Sequence, residues 1–530
     1  MNWNFPYPSQ RMPLLARNVV ATSQPLAAQA GVEMLRKGGN AVDAALATAI
    51  ALTVVEPNMN GIGSDAFAII WDGKKLHGLN ASGRAPQAWD PQRFAGRDAM
   101  PLFGWDSVTV PGAVSAWTEL SARFGKLPFM DLFVPAIMYA DKGFPVSPIV
   151  ARNWAAQIDK YKDSQDFANG FLPEGRPPQA GELFKFPEQA YSLTMIAASN
   201  GEAFYRGELA KRIVAHSQAQ GGAMALLDLA EHRADWVEPI SQHYHGHDLH
   251  EIPPNGQGIA ALIMLGILAH CDITRFALDS ADSVHLQLEA MKLAFADAYR
   301  YIADGSAMAV SAQQLLKPDY LASRAKLIDL ARAQFPSWGS PNDIPKGSET
   351  VYLTTADAGG MMVSYIQSNY MGFGSGVVVP GTGISLQNRG SAFSVEPKHP
   401  NCVAPGKRPF HTIIPGFLMA NGAPVMSFGV MGGVMQAQGH AQMVVRIVDY
   451  QQNPQAASDA PRWYLDPSQQ LYVETGFNLP VIEELARRGH RIASEQPMFG
   501  FGGAQLIYCL ENGAYAAGSD HRKDGLAVGY

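Results

Sequence analysis

Thr350 stands where a polar linker containing Pro and Gly (Pro341 to Ser348) runs into an alternating, β-like segment, Thr350-Val351-Tyr352-Leu353-Thr354-Thr355. A neutral hydroxyl is a weak nucleophile until a base takes its proton, and a free α-amine can be that base. An α-amine with an unperturbed pKa of about 7.7–8 is partly neutral near physiological pH. Scission between Glu349 and Thr350 would therefore put nucleophile and base on one residue. Threonine is also β-branched, so its hydroxyl is confined to few directions. Two Gly-rich segments follow, Gly372-Phe373-Gly374-Ser375-Gly376 and Gly429-Val430-Met431-Gly432-Gly433. This order of linker, threonine and glycines looks like that of a self-cleaving amidohydrolase.

Other residues compete for chemistry. Cys402 is a possible thiol nucleophile, but no His-bearing signature flanks it. In His243-Tyr244-His245-Gly246-His247-Asp248-Leu249-His250, a single strand would set His243, His245 and His247 on one face, and imidazoles suit zinc or nickel. The alternative reading, an exposed strand without metal, is the one expected here. The 372–376 glycines lack the Lys-Ser/Thr ending of a phosphate loop, and no Gly-x-Gly-x-x-Gly opens a βαβ unit, so no cofactor is expected.

The elements that must position these residues come from a chain of 530 residues, 47% hydrophobic and 16% charged. That is ample for a large core in one or two domains. A net charge of −7 and the absence of a basic tract argue against a nucleic-acid partner. The longest apolar stretch, Ala41 to Val55, contains Asp43 and is too short to span a bilayer. Met1 to Arg17 lacks the apolar core of a signal peptide. Cys271, Cys402 and Cys509 are odd in number and widely spaced, so they form no disulfide framework. These features together predict a cytoplasmic protein.

Apolar spacing predicts a strand and two helices over residues 18–56, with Lys37-Gly38-Gly39-Asn40 separating Pro25–Arg36 from Ala41–Val55. Residues 66–80 read as a hairpin turning at Asp72-Gly73. From Pro111 to Gln220 the pattern is mostly helical. His243 to Ile252 reads as one strand, Asn255 to Cys271 as a helix, and Ser283 to Ile302 as an amphipathic helix. Residues 303–349 read as loop with short helical pieces. Beyond Thr350, Val351–Gln367 and Ile413–Val430 read as hairpins turning at Ala358-Gly359-Gly360 and Asn421-Gly422. Helices are expected at Met435–Gln451 and Leu479–Arg488, and strands at Gln505–Leu510 and Ala514–Ser519. Strand runs alternating with helix runs imply a layered α/β sandwich.

Several segments together resemble the γ-glutamyltransferase family of N-terminal-nucleophile hydrolases. They include Gly38-Gly39-Asn40-Ala41-Val42-Asp43-Ala44-Ala45, Val54-Val55-Glu56-Pro57-Asn58-Met59-Asn60-Gly61-Ile62-Gly63, Val110-Pro111-Gly112 and Glu289 through Asp297. Phe373 through Ile384 and the C-terminal Asp524-Gly525-Leu526-Ala527-Val528-Gly529-Tyr530 complete the set. The resemblance implies a four-layer αββα sandwich. It implies autocatalytic cleavage of a zymogen at Glu349–Thr350 into a large fragment, 1–349, and a small one, 350–530. The two fragments would form a heterodimer intertwined in one structural domain. It also implies an oxyanion hole from the backbone amides of Gly432 and Gly433, which glycine's missing Cβ lets approach the oxygen closely.

The departures from the family pattern bear on substrate. Val351 stands where the family has a second threonine. Arg389-Gly390-Ser391-Ala392-Phe393 replaces a Gln-Met-Asp-Asp-Phe-like segment whose Asp holds the substrate ammonium. His411-Thr412 replaces a pair of serines that contact the substrate carboxylate. The upstream carboxylate-binding arginine has its nearest match in Arg84, displaced by two residues. A site that has lost an anion and gained a cation would leave a substrate ammonium unpaired at high cost. A carboxylate held by Arg84, Arg389 or both fits better. The expected substrate-binding residues are therefore Arg84, Arg389, His411 and Thr412, around Thr350, Gly432 and Gly433. Within the family this pattern is similar to oxamate amidohydrolase, which forms oxalate and ammonia, a placement in purine catabolism. The alternatives are a γ-glutamyl hydrolase or transferase, a glutaryl-type acylase, and a catalytically silent binding paralogue. No metal, nucleic acid or membrane partner is expected.

Overall fold

The computed structural model describes residues 10–161, 163–337, 349–495 and 500–530. The linker expected at 341–348 and the side chain of Glu349 lie outside that set. Two seven-stranded antiparallel sheets face one another. The first runs, edge to edge, through Leu14–Ala16, Tyr515–Ser519, Gly503–Cys509, Ala423–Met431, Gly416–Ala420, His247–Glu251 and Ile240–Tyr244. The second runs through Leu526–Gly529, Val19–Thr22, Glu349–Ala356, Met362–Tyr370, Asp65–Trp71, Leu76–Ala81 and Asp235–Val237. Each sheet thus interleaves strands from both sides of the Glu349–Thr350 bond.

Three apolar cores make the layers. Phe67, Ile69, Tyr352, Ile366, Phe417 and Ile507 fill the space between the sheets. Gly429 lies on the ring of Tyr352, where a Cβ would come to 2.4 Å from a ring carbon, so glycine lets the sheets approach there. Helices Pro25–Arg36 and Ala41–Val55 cover the outer face of the second sheet. Helices Gly258–Leu268, Ala281–Tyr301 and Met435–Val448 cover the first. The architecture is the expected αββα sandwich of helices and sheets.

Local chemistry sets the helix bounds. Asn40 and Asp43 form a reciprocal capping box at the start of Ala41–Val55, and every residue of that helix is buried. The strand expected at His243–Ile252 is instead a tight hairpin, Ile240–Tyr244 with His247–Glu251. Positive φ at His245 (44°) and Gly246 (82°) makes the two-residue turn. His243, His245 and His247 therefore do not share one strand face. His243 pairs with Asp248 at 2.9 Å and His245 with Asp449 at 2.6 Å. Among the described residues no helix is long and apolar enough to cross a membrane, and all three cysteines are free thiols.

Candidate active site

Thr350 is the second residue of the strand Glu349–Ala356, in the middle of the second sheet. Its register against Met362–Tyr370 breaks at this residue: Glu349 faces Tyr370, and Val351 faces Gln367. Ser368 and Asn369 thus oppose the single Thr350, a bulge that re-aims side chains at the strand end. The bulge brings Ser368 Oγ to 3.2 Å from Thr350 Oγ1. Gln436 Nε2, at the start of helix Met435–Val448, lies 3.4 Å from the same hydroxyl. Gln436 is itself fixed, because its Oε1 accepts the Ile414 amide at 3.0 Å.

Gly432 and Gly433 form the sharp exit from strand Ala423–Met431 into that same helix. Their φ values, 115° and 62°, lie where a side chain is strained. The Gly433 carbonyl accepts from Gln257 Nε2 at 2.8 Å, which orients the peptide. The two glycines and the Gln436 side chain are therefore set by one strand-to-helix turn.

Arg389 begins a short 3₁₀ turn, Arg389–Ala392, that seats Gly390 against Trp89. The arginine is fully buried. Its Nη1 donates to Thr412 Oγ1 at 2.8 Å and its Nη2 to Ser368 Oγ at 3.3 Å, with the guanidinium 4.0 Å over the Tyr370 ring. Ser368 is thus a shared hinge between Arg389 and Thr350. No carboxylate lies within ion-pair distance of Arg389 among the described residues, and its Nε has no hydrogen-bond partner. Burial lowers its pKa to about 10, countered by the fields of Tyr370 and Asp65. The group remains a cation at physiological pH.

Of the residues singled out from sequence, Thr350, Arg389 and Thr412 meet here. His411, next to Thr412, points the other way, toward Asp65 at 3.2 Å. Arg84 is placed elsewhere: it is 43% exposed, paired with Asp235 at 3.3 Å and Asp304 at 3.6 Å, and donates to the Gly406 carbonyl. Ser368, Gln436, Tyr370 and Asp65 were not anticipated. Asp65 carried a signal, an acid opening an otherwise apolar strand; Ser368 and Gln436 carried none.

Two further features bear on ligands. A cavity of about 570 Å³ is lined by Phe103, Trp105, Lys160, Tyr161, Asp166, His216 and the 375–378 stretch. Thr350, Arg389 and Thr412 do not line it, and Thr350 is fully buried in this uncleaved chain. His285, Glu289 and His490 converge as a possible metal-ligand trio. Yet Lys292 Nζ lies 2.8 Å from Glu289 and 3.4 Å from His490, so an ammonium already supplies the positive charge. Cys402 is buried, and burial pushes its thiol pKa up, away from thiolate chemistry.

Comparison with known proteins shows the family of the chain. The family described as Gamma-glutamyltranspeptidase matches residues 27–530. The chain is 36% identical over 524 residues to the glutathione hydrolase-like YwrD proenzyme of Bacillus subtilis (strain 168), spanning 97% of this chain and 98% of that protein. It is also 36% identical over 523 residues to the oxamate amidohydrolase proenzyme of Klebsiella pneumoniae subsp. pneumoniae, spanning 95% and 97%. A solved cephalosporin acylase from Bacillus halodurans superposes with a TM-score of 0.95 at 48% identity, covering 100% of this chain and 99% of that one.

Proposed function

This chain belongs to the γ-glutamyltranspeptidase family and is an amide-hydrolysing enzyme with an N-terminal nucleophile, and on that footing we propose that its nucleophile is Thr350 and its substrate a small amide bearing a carboxylate, oxamate above all. In maturation, Thr350 Oγ1 attacks the carbonyl carbon of Glu349, the C–N bond breaks, and the resulting ester is hydrolysed. Residues 1–349 and 350–530 then remain together as a heterodimer, and the freed α-amine of Thr350 becomes the base. In turnover that amine takes the hydroxyl proton as Oγ1 attacks the substrate amide, and then delivers a proton to the departing ammonia. The amides of Gly432 and Gly433 receive the oxyanion. Water attacks the acyl-threonine ester and releases the diacid.

One observation supports the short acyl group. The Ser368 hydroxyl touches both Arg389 and Thr350 Oγ1, at 3.3 and 3.2 Å. A substrate whose carboxylate adjoins its amide carbonyl fits so close a cation and nucleophile, whereas a longer acyl chain sets the two apart. The Arg389 fork offers bidentate contact to a planar carboxylate. Arg84, engaged with Asp235 and Asp304, is left out of this pocket.

A second reading, an acylase for a longer dicarboxylic acyl group with a bulky leaving group, draws on the likeness to the cephalosporin acylase and on the aromatic-walled cavity. A γ-glutamyl substrate is disfavoured because Ala392 offers its ammonium no partner. Ammonia or amine release from oxamate, a glutaryl amide and a γ-glutamyl anilide separates these readings. Oxamate is expected to give the highest kcat/KM; faster turnover of the γ-glutamyl anilide would overturn the assignment.

A further inference from the structure

Resting on the reading of Arg389 as the carboxylate-binding group, we propose that Asp65 is a positioning residue that aims Arg389 at the substrate, acting through His411 and Thr412. Asp65 opens strand Asp65–Trp71 and is fully buried. Its Oδ1 accepts the Gly83 and Gly112 amides, each at 3.1 Å, which fixes the carboxylate plane. Its Oδ2 faces His411 Nε2 at 3.2 Å.

The His411 ring has one consistent protonation pattern. Its Nδ1 accepts the Ile413 amide at 3.3 Å, so the proton sits on Nε2 and is donated to Asp65. Burial, with Arg389 and Arg408 nearby, keeps the imidazole neutral. The ring edge is braced by Phe67, with centroids 4.9 Å apart and planes at 89°. The backbone on either side is pinned: the His411 amide donates to the Asn255 carbonyl, and Gln257 Nε2 donates to the Thr412 carbonyl. Asp65 therefore sets the imidazole, the imidazole sets the segment, and the next side chain receives Arg389 Nη1 at 2.8 Å.

Among the described residues no carboxylate touches the Arg389 guanidinium. Asp65 is the acid whose field Arg389 feels, yet it stands outside ion-pair distance. Arg408 is the other cation acting on Asp65. A direct Asp–Arg pair would consume the fork's donors; an acid one imidazole away leaves them for substrate.

The test compares oxamate with oxamide, in which a neutral carboxamide replaces the carboxylate, on four cleaved enzymes: wild type, Asp65→Asn, Arg389→Met and the double variant. In Asp65→Asn, an amide that keeps the Gly83 and Gly112 bonds turns its NH₂ toward the His411 N–H, donor against donor. Wild type is expected to prefer oxamate on the order of a hundredfold, as a buried charge contact predicts. Asp65→Asn is expected to lose about tenfold of that preference through KM, with kcat on oxamide changed by less than about threefold. Added to Arg389→Met, it should change the preference no further.

Retention of the wild-type preference in Asp65→Asn, an equal loss on both substrates, or the same loss in the Arg389→Met background would each overturn the proposal. Should Asp65→Asn not fold, Asp65→Ser, which keeps an acceptor for the two glycine amides, reads the same contrast. A wild-type enzyme with no preference for oxamate overturns the carboxylate reading itself, and this proposal with it.

Discussion

Arg389 and Arg462 are both arginines with no exposed surface, and their surroundings differ in kind. Arg462 pairs with the equally buried Asp520 at 2.5 Å and donates to the carbonyls of Phe501 and Ser458. Asp520 also accepts the Ala504 amide and pairs with Arg522, which reaches Glu474. These cations hold the Asp520 carboxyl far below the usual range despite its burial. Arg389 has two hydroxyls and an aromatic face instead. A buried charge with its countercharge in contact is a structural joint. A buried charge with no carboxylate in contact among the described residues is the arrangement that the proposed carboxylate substrate would complete.

The sharpest way to break this comparison is to remove each arginine's anion or the arginine itself. Asp520→Ala leaves Arg462 buried and unpaired, and is expected to lower stability by about 3–5 kcal/mol, read as a large drop in melting temperature. Arg389→Met removes a cation that touches hydroxyls and a ring but, among the described residues, no carboxylate. It is expected to leave the melting temperature near wild type while kcat/KM for oxamate falls on the order of a hundredfold. A large stability loss in Arg389→Met would make the two arginines alike and end the distinction.

A smaller effect is expected from Thr412→Val, which keeps the side-chain shape but removes the acceptor of Arg389 Nη1. Loss of one hydrogen bond to a charged group, about 1.5 kcal/mol, corresponds to roughly a tenfold rise in KM for oxamate. An unchanged KM would show that Ser368 alone orients the fork.

The smallest effect is on pH. Burial raises the Asp65 carboxyl from 3.8 to about 7, with Arg389 the largest opposing influence. The folded protein thus holds this proton where the unfolded chain has released it. The stability contributed is full below about pH 4 and is lost as pH rises through about 7. Melting temperatures across this window should show the wild-type value falling relative to Asp65→Asn as pH rises. A constant or widening gap in favour of wild type would contradict the shift.

Much of the fold was legible because local chemistry agreed with the global answer. The break at Lys37-Gly38-Gly39-Asn40 gave helix bounds that tertiary packing left unchanged. The hairpin at His245-Gly246 was missed because a histidine took a positive φ that pattern reasoning assigns to Asn, Asp or Gly. Thr350, Arg389 and Thr412 were recognisable singly, but their meeting depends on the Ser368–Asn369 bulge, which no local spacing encodes. Asp65 and His411 are 346 residues apart, and their pairing exists only once the sheets and the 411–412 segment are assembled. Arg84 looked like a pocket residue from its neighbours in sequence, while its partners Asp235 and Asp304 are distant in the chain.

The central claim, that Thr350 becomes the N-terminus and nucleophile, is tested most directly by the intact mass of the purified protein beside a Thr350→Ala control. Two fragments divided between Glu349 and Thr350, with the control uncut, is the result expected. A single uncut mass for the wild type, persisting on incubation, would contradict it.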